Sequence, residues 1–415
     1  MKKLLQQMNH SRKQPRKYRG VTLVELMIAI TIGSIVILGI SSVYTSSKRS
    51  YKLQEEFSRL QENGRFAINY ITRFVRSAGY SGCASGLGAI DTIMNDSTDD
   101  IWQFDTGIEG YEYVGTNPGQ SVTLPATQTA TTDTSANHDL WKTVGNVSLP
   151  NPTGTTDFLG NTYSPVADTD ILVARTADGS GIEVSKANPS GQVFVACPTS
   201  TLERTCPDGG SSGCTLCIND PVLVSDCQSG SAFQTTNLTA TGNPPTGMKE
   251  FNVVHSSGGT AVPGNSQPLL NRQLNKGDEV MKVSTKVFYV GKGANGPSLF
   301  MKQADSTPVE LVEGVESMQV LYGEDTDATP DNIPNRYVVA SDVTDFANVV
   351  AVRVSILLRS VKELPWRTAV SKPYLLGGMD TDTAVELKSP TTPSDKRLRK
   401  VMSTTIKIRN RAFSL

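Results

Sequence analysis

Val21 to Tyr44 is a run of 24 residues with one charge, Glu25, and it constrains this chain more than any other feature. A helix of about 20 apolar residues crosses a bilayer, where no water is present to satisfy an open backbone. A carboxylate at the centre of that bilayer costs about 2.5 to 3.5 kcal/mol on insertion scales, so Glu25 requires a partner. Residues 1–20 carry Lys2, Lys3, Arg12, Lys13, Arg16, Lys17 and Arg19 and no acid. By the positive-inside rule that end stays in the cytoplasm and the remainder crosses the membrane. A secretory signal places its cleavage site after the apolar region, whereas the plausible cut here, after Gly20, precedes it. Cutting between Gly20 and Val21 would expose an α-amine four residues before Glu25, close to it on a helix and opposite in charge. Amine and carboxylate at one depth in neighbouring helices would neutralise each other and set the axial register between subunits. The simpler alternative is a single-pass anchor on an ordinary stalk, which gives Glu25 no purpose.

The helix is expected to continue past the membrane. Leu53, Phe57, Leu60, Gly64, Ala67 or Ile68, Ile71, Phe74 or Val75, and Ala78 recur at intervals of three and four, with charges between them. No proline lies between Pro15 and Pro118, and Gly79 stands where a left-handed cap would stop the helix. Residues 21–78 can form one helix of roughly 87 Å, membrane-spanning over 21–44 and amphipathic beyond.

Beyond the helix, the 415-residue chain has ample length for a globular head, residues 79–415. With the seven leader cations set aside, 32 basic residues face 40 acidic ones, a balance that argues against a general nucleic-acid binder. Strands are expected at 170–175, 192–196, 221–226, 281–291, 298–303, 315–323, 349–359 and 401–410. Alternation is clearest where Val350, Val352, Val354, Ile356 and Leu358 share a face. Packing such an antiparallel sheet on the amphipathic half of the helix buries both stripes. From about 85 to 280 the composition turns loop-rich, most of all in TLPATQTATTDTSANHD.

Six cysteines, Cys83, Cys197, Cys206, Cys214, Cys217 and Cys227, invite three readings. Their spacing fits no standard zinc finger, and Cys214 and Cys217 lack the strand-to-helix context of a redox pair. Outside the cytoplasm an even count favours disulfides, with 15 pairings open. Asp325, Asp327 and Asp331 offer oxygens at near-alternate positions, but Pro330 stands where a calcium loop of the EF-hand type needs glycine, and a solvated turn is the simpler reading. His10, His138 and His255 have no hydrolase motif beside them, so neither catalysis nor a cofactor is indicated. The basic stretch Lys396, Arg397, Arg399, Lys400, Lys407, Arg409 and Arg411 could contact DNA, but no aromatic residue interleaves it before Phe413, and strand-edge charge or pairing with acids is the simpler reading.

RGVTLVELMIAITIGSIVILG resembles the class III signal of type IV prepilins. The resemblance implies cleavage after Gly20, methylation of the new amine on Val21 and an assembly role for Glu25. The usual first mature residue is phenylalanine, and Val21 departs from it. FVRSAGYSGC, LVSDC, LVEGVESMQVLYGED, VVAVRVSILLRS and MSTTIKIRNRAFSL resemble the PilW type of minor pilin. The implied fold is α+β and pilin-like, a long N-terminal helix on an antiparallel sheet head with a disulfide-bearing insertion. The implied function is a minor pilin that helps prime pilus assembly and sits in the tip complex, serving adhesion, twitching motility or DNA uptake. Its partners would be other minor pilins, the major pilin, a tip adhesin, the prepilin peptidase and the inner-membrane assembly platform. It would occupy the bacterial inner membrane and then the extracellular pilus. The alternative is a J-type minor pseudopilin of a type II secretion system, whose members tend to be shorter.

Overall fold

The structure is a computed structural model that describes residues 20–82, 90–95, 102, 104, 106–124, 138–149, 165–188, 192–202, 204–206, 210, 212–226, 228–242, 244, 246–257, 263–270, 272–303, 306–368, 372–378, 383–388 and 396–410. Two compact units divide the chain, Met1–Glu55 and Glu56–Leu415. Helix α1 runs over Leu23–Ser77, within a residue or two of its expected ends. Strands follow at β1 Ile90–Thr92, β2 Ile108–Tyr113, β3 Ser121–Thr123, β4 Trp141–Lys142, β5 Ile171–Val184 and β6 Val193–Pro198. Next come β7 Pro221–Ser225, β8 Gly230–Gln234, β9 Asn237–Ala240, β10 Met248–Val254, β11 Glu279–Gly293, β12 Gly296–Gln303 and β13 Val309–Glu313. The last are β14 Val315–Glu324, β15 Arg336–Val338, β16 Val349–Arg359, β17 Pro373–Leu376, β18 Val385–Lys388 and β19 Arg399–Lys407.

The second unit holds three sheets among the described residues. Twelve strands join along β1-β8-β7-β11-β5-β6-β10-β9, with β12 on β11 carrying β13 and with β2 on β5 carrying β4. Four join as β15-β14-β16-β19, and three as β17-β18-β3. Pairing is antiparallel except for β1 with β8 and β18 with β3. The fold is thus α+β with an antiparallel-rich head. The segment from about 85 to 280, expected to be loop-rich, supplies β1 to β10 and so most of the largest sheet.

Within this unit α1 buries the expected stripe from Leu60 onward, where Leu60, Gly64, Ala67, Ile71 and Val75 are all inaccessible, whereas Leu53 and Phe57, expected to share it, stay exposed. Four of them share a core with Leu172 of β5, Phe288 of β11 and Leu299 of β12, and with Met318 of β14 and Val352 and Ile356 of β16. Each large aliphatic side chain withdrawn this way is worth about 1.5 to 3 kcal/mol, so the helix stripe ties the two sheets together. The opposite face of the four-stranded sheet is covered too. Leu357 meets Leu376, Val385 and Leu387 of the small sheet, which explains why β16 is apolar on both sides.

Helix α1 ends because Gly79 takes φ 75°, a left-handed turn that costs glycine nothing. The chain then joins the sheet directly. Gly79 donates its N–H to the Arg175 carbonyl at 2.9 Å, Ala177 donates to the Tyr80 carbonyl at 2.8 Å, and Arg175 donates to the Gly107 carbonyl at 2.8 Å. A Cβ on Gly107 would lie 2.6 Å from the Gly79 backbone, too close for any side chain. The Arg175 side chain fills this junction, bonding Glu109 at 2.7 Å and the Thr106 carbonyl at 3.1 Å. Only 1% of that side chain is exposed, so Glu109 supplies the counter-charge that makes its burial tolerable.

Four cysteines pair as Cys197–Cys214 and Cys206–Cys217, with Cα separations of 5.6 Å in both. Cys214 and Cys217 therefore take different partners, an arrangement of crossed staples and not a vicinal pair or a metal knuckle. Between them Asp220 accepts from Arg204 at 2.9 Å, from Lys282 at 2.9 Å and from the Cys217 N–H at 2.9 Å. Cys83 and Cys227 lie outside the described residues.

Gly107→Ala is expected to lower stability by about 1 to 3 kcal/mol, because the clash is with backbone and not with a yielding side chain. Replacing Cys206 and Cys217 together by serine should cost about 2 to 4 kcal/mol by freeing the loop they close. Urea unfolding of the purified chain measures both, and non-reducing peptide mapping should recover the 197–214 and 206–217 links.

Candidate assembly helix

Among its described residues, the first unit is dominated by exposed apolar side chains. Its helix is long and apolar enough to cross a membrane, and its most apolar stretch is uncovered. Leu23, Met27, Ile30, Ile37, Leu38 and Val43 are each more than half exposed. Hydroxyls in and just past the run bond back to the helix itself. Thr31 donates to the Met27 carbonyl at 2.8 Å, Ser34 to Ile30 at 2.7 Å and Thr45 to Ser41 at 2.8 Å. Such back-bonding one turn away removes the penalty a bare hydroxyl would carry in hydrocarbon.

Glu25 is placed in the first turn, with Val21 and Gly20 exposed just ahead of it. Its carboxylate accepts from the Thr22 N–H and the Thr22 hydroxyl, both at 2.9 Å, while the Thr22 hydroxyl accepts from the Glu25 N–H at 3.2 Å. This reciprocal pair is a capping box, which satisfies helix-start donors that otherwise have no partner. In the uncut chain Glu25 thus has a local partner, Thr22. Sequence reasoning that looked only for an opposite charge passed over it. The signal was present as threonine, two residues, then glutamate, directly before an apolar run.

The other candidate groups have structural employment. Asp325, Asp327 and Asp331 come together with their ligand oxygens within 4.8 Å of one another. Asp325 is buried and accepts the N–H groups of Asp331 and Asn332 at 2.9 and 2.7 Å, and Asp327 accepts from Asn335 at 3.2 Å. These bonds shape the turn between β14 and β15. In the basic stretch Arg399 bonds Glu316 at 2.7 Å, Arg397 bonds Glu363 at 3.1 Å, and Lys396 caps the Pro365 carbonyl at 3.0 Å. Arg411 and His10 lie outside the described residues. His255 is buried against the Phe233 ring at 4.8 Å, and His138 opens a short 3-10 turn at His138–Leu140.

Two family models match the chain. Residues 15–41 match the prokaryotic N-terminal methylation motif, and residues 287–410 match the type IV pilus-assembly protein W. The second match begins within β11 and runs past β19, so it contains the whole four-stranded sheet. No curated protein and no solved structure matches. Pilin-family segments of this kind are structural and not catalytic, and the motif with its apolar helix fits anchoring in the inner membrane followed by residence in a pilus, among other pilus components. At its two ends the chain carries the signatures of a type IV pilus minor pilin of the PilW type.

Proposed function

We propose that this chain is a non-catalytic filament subunit, cut between Gly20 and Val21, methylated at Val21 and built into a type IV pilus through residues 21–44. Its N-terminus faces the cytoplasm before assembly, and residues 79–415 form the periplasmic, later extracellular, head. The head joins other minor pilins, primes assembly and remains at the tip with an adhesin. The observation that carries the reading is a helix whose apolar residues from Val21 to Tyr44 are uncovered and whose one charge is held at the first turn. Such a surface matches copies of itself and hydrocarbon equally well, so a subunit can pass from membrane to filament without exchanging its apolar contacts for water. The match over residues 287–410 favours a pilus over a type II secretion machine.

In the filament Glu25 exchanges Thr22 for the Val21 amine of a neighbour. Removing the carboxylate would leave that amine buried and unpaired, at about 3 to 5 kcal/mol. Glu25→Ala should therefore insert in the membrane and be cut normally, yet be lost from sheared pili on immunoblots. Wild-type incorporation of that variant would refute the register role. Intact-mass measurement of the native protein is expected to give a chain starting at a methylated Val21, and a chain still starting at Met1 would refute the cut.

A further inference from the structure

A cavity of about 650 Å³ in the second unit has no part in assembly as described so far. It is lined by Leu60 and Phe66 of α1, by Leu311 and Val312 of β13, and by Arg359 at the end of β16. Asn63 of α1 donates to the Glu313 carbonyl of β13 at 3.4 Å, so helix and strand are tied together beside it. Phe66 is half exposed, although it is a large aromatic ring.

Arg359 decides what such a cavity can hold. Only 10% of its side chain is exposed, and it converges with Arg399, whose side chain is 2% exposed, on the carboxylate of Glu316. Arg399 takes both oxygens, through Nε to Oε2 and through Nη2 to Oε1 at 2.7 Å. Arg359 is left with one contact, from Nη1 to Oε1 at 3.3 Å. A guanidinium carries five N–H donors in a planar fork, and among the described residues no acceptor meets Nε or Nη2 of Arg359. The β11–β12 turn passes directly against Nη2, since a Cβ on Gly296 would overlap it, and Asn295 of the same turn lines the cavity. Burial lowers the Arg359 pKa from its ordinary value; Glu316 opposes this, and the Arg397 and Arg399 charges reinforce it. The other lining charges balance. Arg59 and Lys362 stand against Glu56 and Glu62, and Glu313 accepts from Asn295 at 3.1 Å. The charge still short of a counter-ion is that of Arg359.

We propose that this cavity is a socket for an acidic side chain presented by a neighbouring pilus subunit, whose carboxylate completes the fork of Arg359. The inference rests on the reading of the chain as a filament subunit, and adds where one contact is made and by what chemistry. A carboxylate matches the planar donors of a guanidinium in shape as well as in charge. A small free anion would leave most of the cavity to water, against Leu60, Leu311, Val312 and the open face of Phe66. A protein segment that carries the acid covers those apolar groups as it delivers the charge. Arginine and aromatic side chains together are what dominate the binding energy where proteins meet.

The test uses the full chain in piliated cells. The photo-crosslinker p-benzoylphenylalanine takes the place of Phe66, pili are sheared after irradiation, and the adduct is mapped by mass spectrometry. The expected result is an adduct to another pilus subunit, on a peptide that contains aspartate or glutamate. Arg359→Gln in the same chain should cut that adduct about tenfold or more, because the desolvated charge contact is lost. Arg359→Lys keeps the charge and should retain part of it. Changing the mapped acid to its amide in the partner should give the same loss while leaving this chain's own fold untouched. An adduct that survives both changes, or one formed with a lipid or a protein outside the pilus, would overturn the socket. Immunoblots of sheared pili separate this from failure of the wider reading. The chain present in pili without the adduct overturns the socket alone, whereas a wild-type chain absent from pili overturns both.

Discussion

The head depends on the buried Arg175–Glu109 pair and the backbone gathered round it. One residue receives the end of α1 through its carbonyl, fastens the Gly107 turn through its N–H, and fills the gap with a guanidinium that Glu109 neutralises. A fully buried arginine is costly unless its donors are used, and here the Thr106 carbonyl takes one of those left over. The reward is positional. Leu172 and Ala174, on the same strand, lie in the core that holds the buried stripe of α1. Fixing the helix end therefore fixes which turns of the helix meet which strands.

Apolar surface in this chain comes in two kinds, and the difference is functional. The later turns of α1 present a stripe one residue wide at each turn, and the head covers it. The earlier turns are apolar all round, which suits hydrocarbon or other helices and no globular core. Between these regimes the polar side chains change behaviour. In the apolar run hydroxyls turn back to their own helix, whereas in the head buried polar groups bond between strands distant in sequence, as Glu316 does with Arg359 and Arg399.

The head also places many charges where water does not reach, among them Glu112, Asp170, Arg175, Glu316 and Glu324. Most are answered by an opposite charge, as in Glu324 with Arg336 at 2.7 Å. Asp170 is answered instead by the Tyr113 and Val320 N–H groups, at 3.2 and 2.8 Å. The paired strands β2 and β5 thus show two answers to a buried charge, a counter-ion at Glu109 and backbone donors at Asp170.

Local pattern determined a good deal by itself. The helix with its stop at Gly79, the stripe from Leu60 to Val75, and eight strands including β16 follow from periods of 3.6 and 2 that any folded partner must respect. The Thr22–Glu25 cap was equally local, and legible from its spacing. Short polar strands such as β9, Asn237–Ala240, carry no such period, because a strand exposed on most of its length has no face to mark. The tertiary structure alone decided which cysteines meet, that Asp170 accepts from Val320 across 150 positions, and that Arg175 finds Glu109 across 66. These contacts join residues whose neighbours in sequence say nothing of one another, and only the pairing of β2 with β5, the approach of β14 to Asp170 and the folding of the cysteine-bearing loop bring them within bonding distance.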